Sequence, residues 1–425
     1  MFALLGIYLD KMDFCQDATF DIFSRPPTEN ALQDFHEQEI EPLTSITSTS
    51  SAIDFNITGE GDEYVDLSEL RLYIRVKVST TTTTTGIEDG KVSLVKFWPH
   101  ALFRQCDLFL NGTLVTTSSN MYHYTAYIAS MLSFSKEVKD YQLSVLEHAN
   151  GWDVKKANPE SEAFIRLHLP LCNQSRLIPN GVTIKIRLLR ASDDFIINKS
   201  VGAAETYKVT LEKCSLFVRR ITPSPTLLLD HAETLSKINC LYPIERIWTK
   251  FYTLSKGVRD FDLPNISQGQ QPTKLVLGMV TTKAFSGSTD TDPFKFQHFG
   301  LEYISLIANG RAIPAVPVTA DFEKGHFRRA YHLLMDTIQG GCSDSESLGI
   351  SLEDYKENSC FFGFPLARTL TGPSEALPRR ENGYVNAKLR FAKALTENVN
   401  AIFFMEYSNF VELDSARNVF TDFPA

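Results

Sequence analysis

The segment Leu70-Arg-Leu-Tyr-Ile-Arg-Val-Lys-Val78 alternates apolar and polar side chains without a break. A period of two places its apolar residues on one face of a β-strand and leaves the other face to water. Further strand-like segments follow along the chain: Ile184–Leu188, Lys208–Lys213, Leu275–Val280, Lys388–Phe391 and Ala401–Tyr407. Because so much of the sequence has this character, we expect the backbone to be mainly β-sheet.

Helical spacing is confined to three short stretches, at 124–132, 138–146 and 327–335. The sequence does not show the regular alternation of strands and helices that would predict a parallel sheet. Four Asn-Gly pairs, at 111–112, 180–181, 309–310 and 382–383, stand beside strand-like runs. Asn-Gly favours type I′ hairpins because both residues accept positive φ. The pattern therefore predicts antiparallel sandwiches with short helices in the loops.

An internal repeat divides the chain into two halves. Gly61-x3-Val65-Asp66-Leu67 is matched by Gly257-x3-Phe261-Asp262-Leu263, and Asn111-Gly112 after a strand is matched by Asn309-Gly310. The matching residues are 196 and 198 positions apart. The shared order and near-constant offset predict two copies of one sandwich, against the alternative of accidental similarity among β segments.

The charge is unevenly distributed. The 425 residues include 42 Lys+Arg and 51 Asp+Glu, a formal net charge of −9. Residues 1–44 hold nine acidic and two basic residues, which gives this segment a charge of −7. A protein that grips nucleic acid through a basic face needs clustered Lys and Arg, so this balance argues against one.

The cysteines and the N-terminus bear on the cell compartment. Seven cysteines form no CxxC pair, and the apolar run Phe2–Leu9 has no basic residue before it. This run is too short for a membrane span and wrongly flanked for a signal peptide. We therefore expect reduced thiols in a protein made in the cytoplasm or nucleus and not secreted.

The search for chemistry-bearing motifs predicts no catalytic residues, no cofactor site and no metal site. Phosphate-binding GxxxxGK[ST], HExxH and GxSxG are absent, and the nine histidines include no pair at i, i+4. Carboxylate pairs such as Asp193-Asp194 lie in polar turns, where solvation explains them. Sequence spacing does not exclude a metal site whose ligands come together from distant strands.

Eight stretches, taken in their order along the chain, carry a family resemblance. In the first half they are 54–68, Leu72-Tyr-Ile-Arg-Val-Lys77, Phe109-Leu-Asn-Gly112 and Tyr124-Thr-Ala-Tyr-Ile128. In the second half they are Tyr242-Pro-Ile-Glu-Arg246, Phe285-Ser-Gly287, Pro293-Phe-Lys-Phe296 and 412–423. They resemble the major capsid proteins of Polinton/Maverick elements and adintovirus-like viruses. The resemblance spans about residue 20 to residue 423, and its weight comes from the order of the stretches.

This resemblance implies an all-β chain of two tandem eight-stranded jelly rolls, a double jelly roll. It implies a homotrimer of pseudo-hexagonal outline that tiles an icosahedral shell around double-stranded DNA without sequence-specific binding. The implied partners are copies of the same chain, neighbouring capsomers and a penton or minor capsid protein, and the implied location is the virion. The chain is then expected not to be an enzyme.

The competing functions are a glycan-acting enzyme on two jelly rolls and a lectin-like binding protein. The enzyme would show a cleft with two close carboxylates of shifted pKa, or a bound metal, whereas a binding protein would expose aromatic side chains in a groove.

The expected domains are an acidic N-terminal arm at 1–44, a first jelly roll at 45–222, a linker at 223–239, a second jelly roll at 240–414 and a C-terminal tail at 415–425. Long inserts at 79–90, 113–160, 283–296 and 338–378 are expected to supply contacts between subunits and the outer surface.

Overall fold

The computed structural model describes residues 30–44, 46, 52–59, 61–80, 87, 90–155, 157, 159–200, 206–339, 349–367 and 378–423. The remaining parts of the predicted arm and inserts, among them 1–29, 81–86, 340–348 and 368–377, lie outside the described residues.

The first half consists of eleven described strands: β1 (Leu32–Ile40), β2 (Ala52–Ile57), β3 (Tyr64–Thr80), β4 (Val92–Leu94), β5 (Phe103–Leu110), β6 (Thr113–Leu114), β7 (Trp152–Asp153), β8 (Glu160–Arg166), β9 (Ile184–Arg190), β10 (Ile197–Lys199) and β11 (Tyr207–Pro223). Its α-helices are α1 (Trp98–Ala101), α2 (Tyr122–Ser133), α3 (Ser144–Leu146) and α4 (Asp193–Ile196). A π-helical turn at Val138–Leu143 precedes α3, and a 3-10 turn lies at Pro170–Asn173.

Helix α5 (Pro225–Leu235) connects the halves and lies within the segment predicted as the linker. The second half contains β12 (Cys240–Leu254), β13 (Asp260–Gln270), β14 (Lys274–Thr281), β15 (Leu301–Ala308), β16 (Arg311–Thr319), β17 (Phe361–Pro365), β18 (Asn382–Phe391), β19 (Val399–Leu413) and β20 (Val419–Thr421). Its helices are α6 (Thr282–Phe285), α7 (Arg328–Gln339) and α8 (Leu352–Glu357).

The two halves have the same strand order. In the first half the sheets run β1-β11-β3-β8 and β2-β9-β5-β6, and in the second half β12-β19-β14-β17 and β13-β18-β15-β16. Strands β4, β7 and β10 form a separate three-stranded sheet, and β20 pairs with β19 beside the main order. When these four strands are left out and the remaining eight of each half are counted from one to eight, both halves give the orders 1-8-3-6 and 2-7-4-5. The pairings within these sheets are antiparallel. The predicted double jelly roll is therefore confirmed.

The alternating segment Leu70–Val78 lies in the centre of its sheet. Strand β3 pairs with β11 on one side and β8 on the other. The side chains of Leu72, Ile74 and Val76 are fully buried. On the opposite face, Lys77 forms an ion pair with Glu160 at 2.8 Å. The alternation thus separates the core face from the wet face.

The Asn-Gly predictions have a mixed outcome. Asn111-Gly112 and Asn309-Gly310 form the two-residue turns of the β5–β6 and β15–β16 hairpins, with positive φ at each residue. Asn382-Gly383 instead begins strand β18 and pairs with β13. Asn180-Gly181 lies in the loop before β9. The hairpin prediction is wrong at these two pairs. At Asn382-Gly383 the sheet pairing overrides the local preference, whereas the turn at Asn180-Gly181 leads into β9, whose sheet partners are β2 and β5.

The boundary of the predicted acidic arm needs correction. Strand β1 lies within 1–44, yet it pairs along its length with β11 as the edge strand of the first jelly roll. Its acidic residues face basic residues of β11: Glu37 is opposite Arg219, and Glu39 forms an ion pair with Lys213 at 2.8 Å. The first jelly roll therefore begins by Leu32 rather than at residue 45, and part of the arm's negative charge is balanced within the sheet.

The predicted tail at 415–425 also contributes to the fold, because its strand β20 pairs with the end of β19. The five described cysteines form no disulfide bond. Among the described residues, no helix combines the length and apolar character that a membrane crossing requires.

Aromatic side chains join the two jelly rolls into one core. The ring of Tyr127 in α2 stacks on Phe294 of the second half at a centroid distance of 4.4 Å. Tyr124 stacks on Phe285 at 5.5 Å, and Phe296 lies 5.8 Å from Tyr127. Phe294 and Phe296 are almost fully buried. The insert 283–296 was expected to supply outer surface, but these two residues turn inward because they cover the apolar side of α2.

Removal of the Phe294 ring should destabilise the whole chain. We expect Phe294→Ala to lower the free energy of unfolding by about 3–5 kcal/mol, because it leaves a cavity between the jelly rolls. Phe164→Ala is the matched control, since Phe164 is half-buried and contacts Phe217 within the first half. The control should cost about 1 kcal/mol. Urea denaturation followed by circular dichroism measures both, and equal losses would contradict a shared core.

The buried side chain of His123, whose ring lies 4.8 Å from that of Tyr124, predicts a pH dependence. Burial lowers the pKa of His123 from 6.5 to about 3. In the unfolded chain the imidazole takes up a proton below pH 6.5, so the stabilisation is present above pH 6.5 and is lost as the pH falls towards 3. The contribution is at most about 1.4 kcal/mol per pH unit.

We expect His123→Gln to make the loss of stability between pH 6.5 and pH 5 shallower than in the wild type. His123→Leu, which also removes the titrating group, should have the same slope. Urea denaturation at several pH values measures the slopes, and identical slopes in all three proteins would rule out this role of His123.

Candidate functional site

Three side chains of metal-ligating type converge inside the first jelly roll. A nitrogen of His100, a carboxylate oxygen of Glu147 and a nitrogen of His168 all lie within 4.8 Å of one another. Sequence reasoning missed this group, since its members are 47 and 21 positions apart. We call these three residues the histidine–glutamate cluster.

Three chain segments bring the cluster together. His100 is part of α1, which begins at Trp98 and continues with Pro99, a residue tolerated in a first helical turn. Glu147 directly follows α3, and His168 follows the end of β8. His100 is fully buried and Glu147 is 5% exposed. The distance between His100 Nε2 and Glu147 Oε2 is 3.2 Å.

Each member of the cluster has a second polar partner. The hydroxyl of Tyr122 lies 3.3 Å from His100 Nδ1, and the hydroxyl of Ser130 lies 2.9 Å from His168 Nε2. The backbone N–H of Arg166 donates to Glu147 Oε1 at 3.4 Å. Helix α2 carries both hydroxyls, so it orients the two imidazole rings.

Electrostatics favour an ionised Glu147 and a neutral His168. Burial acts to raise the pKa of Glu147, but the charge of His100 and its hydrogen bond outweigh burial and lower the pKa overall. Burial and then the nearby His100 lower the pKa of His168 to about 3. A cavity of about 30 Å³ borders His168 and Tyr122. It has room for a water molecule but not for an organic substrate.

Carboxyl groups with raised pKa elsewhere have structural surroundings. Burial raises the pKa of Asp107, Asp193 and Glu406. Gln105 donates a hydrogen bond to Asp107, Arg190 lies 2.9 Å from Asp193 and Lys274 lies 3.1 Å from Glu406. Each carboxyl thus has its own donor, an arrangement typical of structural groups rather than of general acid–base catalysis.

Strand β1 forms the most exposed strand surface of the first half. Eight of its nine residues are exposed, although the strand is hydrogen-bonded to β11. Phe35 is 59% exposed, and its ring contacts only the guanidinium of Arg219 among the aromatic and cation–π contacts of the described residues, at 5.8 Å. Nearby Leu43 is 61% exposed. An exposed sheet edge with large apolar side chains is a surface suited to protein association.

A groove lies where α5 passes the junction of the two jelly rolls. It has a volume of about 930 Å³, and its lining includes Leu32, Leu228 and Leu241. Across the junction, Tyr242 donates to the carbonyl oxygen of Leu177 at 2.9 Å. Arg417 donates two hydrogen bonds of 2.8 Å to Asn180, so the predicted tail fastens the second half to the first.

The chain has a distant relative among known protein sequences. No protein-family profile matches the chain. An uncharacterised protein of Caenorhabditis elegans is 23% identical over 339 residues, which cover 76% of this chain and 80% of that protein.

Solved structures match along nearly the whole chain. A chain of the Sputnik virophage superposes with a TM-score of 0.62 at 12% identity, covering 96% of this chain and 92% of that one. The PBCV-1 virus capsid gives 0.58 at 11% identity, covering 95% and 100%. The mavirus major capsid protein gives 0.54 at 9% identity, covering 97% and 94%. The chain therefore shares its double jelly-roll fold with these viral proteins.

Proposed function

We propose that this chain is a major capsid protein with a structural rather than an enzymatic role. The observation that carries the proposal is the pair of jelly rolls with identical strand order, fused through one core and matched along their full length by viral capsid chains. Two similar sandwiches per chain allow three chains to form a ring with six similar lobes. Such a trimer tiles a shell as a pseudo-hexagonal unit.

The shell that we propose is icosahedral and encloses double-stranded DNA without sequence-specific contacts. The net charge of −9 supports this view, since a chain of this balance does not grip phosphates over a broad basic face. A penton or minor capsid protein would close the vertices. The protein would act in the virion after assembly in the host cytoplasm or nucleus.

We further propose a source among Polinton/Maverick elements and adintovirus-like viruses. The support is the order of the stretches from about residue 20 to residue 423 that resemble the capsid proteins of this group. The mavirus and Sputnik matches support a virus-derived chain, although their identities of 9% and 12% carry the fold alone.

The exposed strand β1 is our proposed contact between subunits. Its outer edge would gain hydrogen bonds from a neighbouring chain, and Phe35 and Leu43 would be covered there. The exposed acidic residues Glu37 and Glu41 flank this apolar surface. They would select a neighbour with basic groups in register and disfavour like-charged edges.

The first experiment is direct observation of assembly. The purified full chain should run as a trimer or larger species in size-exclusion chromatography with light scattering, because obligate interfaces bury roughly 2,000–5,000 Å². Electron microscopy should then show hexagonal capsomers or closed shells. A stable monomer at micromolar concentration, with no particles under any ionic strength tested, would count strongly against the capsid function.

The contact at β1 predicts the behaviour of two variants. Phe35→Glu should leave the unfolding free energy within about 0.5 kcal/mol of the wild type, since the side chain is exposed in the single chain. It should lower the yield of capsomers at least tenfold, because it would bury an unpaired charge. Phe35→Leu keeps an apolar side chain and should assemble. Light scattering measures the yield, and normal assembly of Phe35→Glu would exclude β1 as a contact.

A further inference from the structure

We propose that His100, Glu147 and His168 bind one structural zinc ion. Two imidazoles and one carboxylate form a donor set that zinc accepts. The proposal concerns the single chain, so it does not depend on the proposed capsid function.

The geometry of the histidine–glutamate cluster is close to that of a zinc site. Zinc bonds of about 2.0–2.1 Å in a tetrahedral arrangement place neighbouring donor atoms about 3.3 Å apart. His100 Nε2 and Glu147 Oε2 are already 3.2 Å apart. The largest separation within the cluster is below 4.8 Å, so the remaining ligand needs a shift of about 1.5 Å at most.

The surroundings match the outer partners of metal ligands. Metal-bound histidines usually have their second ring nitrogen or their orientation fixed by a polar neighbour. Tyr122 lies against His100 Nδ1, the nitrogen that points away from Glu147. Ser130 holds the ring of His168, and the backbone of Arg166 donates to the second oxygen of Glu147.

The surroundings favour a structural ion over a catalytic one. Three protein ligands leave the fourth position of a tetrahedral zinc ion to a water molecule. The neighbouring cavity of about 30 Å³ is lined by His168 but by neither His100 nor Glu147. Because this cavity is too small for an organic substrate, the ion would stabilise the fold rather than catalyse a reaction.

A simple ion pair explains the cluster less well. The 3.2 Å contact between His100 and Glu147 already gives a hydrogen-bonded pair. A second imidazole, with its ring centroid 5.0 Å from that of His100, is not needed for such a pair. Two histidines directed at one buried carboxylate form a ligand set, and a divalent cation would offset the cost of burying it.

The ion would link the long insert between β6 and β8 to the chain segments that precede and follow it. His100 precedes this insert, Glu147 lies in it and His168 follows β8. The same insert contains α2, whose Tyr124 and Tyr127 contact the second jelly roll. Zinc binding would therefore stabilise the element on which the junction of the halves rests.

The test uses the full purified chain after dialysis against a chelator and then against Zn²⁺. Mass spectrometry of the metal content should find one zinc per chain, and the melting temperature should rise by several degrees on zinc addition. His168→Gln and Glu147→Gln should lose this rise and at least tenfold in zinc affinity. His123→Gln is the matched control, a second buried histidine outside the cluster, and it should keep both.

A measurement on the wild type covers the case in which a variant fails to fold. X-ray absorption of the zinc-loaded wild type should show a shell of nitrogen and oxygen ligands that includes two imidazoles. Three results would overturn the proposal: no bound zinc together with an unchanged melting temperature, a zinc shell without two imidazoles, or equal zinc affinity in folded His168→Gln.

Discussion

The stacking of Tyr127 on Phe294 fixes how the two jelly rolls sit against each other, and most other features depend on it. The two rings belong to different halves, and both are almost fully buried. Without this stack and the neighbouring aromatic contacts between α2 and the segment 283–296, the halves would be connected mainly by α5 and hydrogen bonds, an arrangement that allows relative motion. A continuous core makes one building block with two lobes at a set angle. Pseudo-sixfold packing needs such a block, since six lobes close a ring only at fixed angles.

The sequence was sufficient for the fold wherever one side of a strand is buried. The alternation at Leu70–Val78 predicted β3, and the repeat offset of 196–198 positions predicted two sandwiches of the same order. Strand β1 was not predicted because Leu32–Ile40 is exposed on both faces and its apolar residues do not alternate with polar ones. Its pairing depends on cross-strand partners such as Glu39 with Lys213, which are distant in sequence. Local pattern cannot indicate a strand whose stabilisation comes from its neighbour.

The histidine–glutamate cluster could not be predicted from the sequence for a different reason. Its three residues come from α1, the position after α3 and the end of β8, and the jelly-roll topology alone brings these segments together. The repeat also fails to duplicate it. His298 lies 198 positions after His100, the offset of the repeat, but its ring stacks on Phe322 at 4.0 Å. Among the described residues the cluster thus has no counterpart in the second half, and it lies in the elaboration of the first half from α1 to α3. A metal there would stabilise this elaboration of the first jelly roll.

The acidic residues near the N-terminus differ in their surroundings. Glu39 forms an ion pair with Lys213 and Glu37 lies opposite Arg219 in the sheet, whereas Glu41 follows the end of β1 and is exposed close to Leu43. A sheet edge with large apolar side chains alone would pair with any similar edge and aggregate. Negative charges along the same edge repel a second identical edge, so they leave pairing to a surface that supplies cations. The proposed shell would need this discrimination, because each subunit would bind its neighbour at one surface and reject the other copies around it.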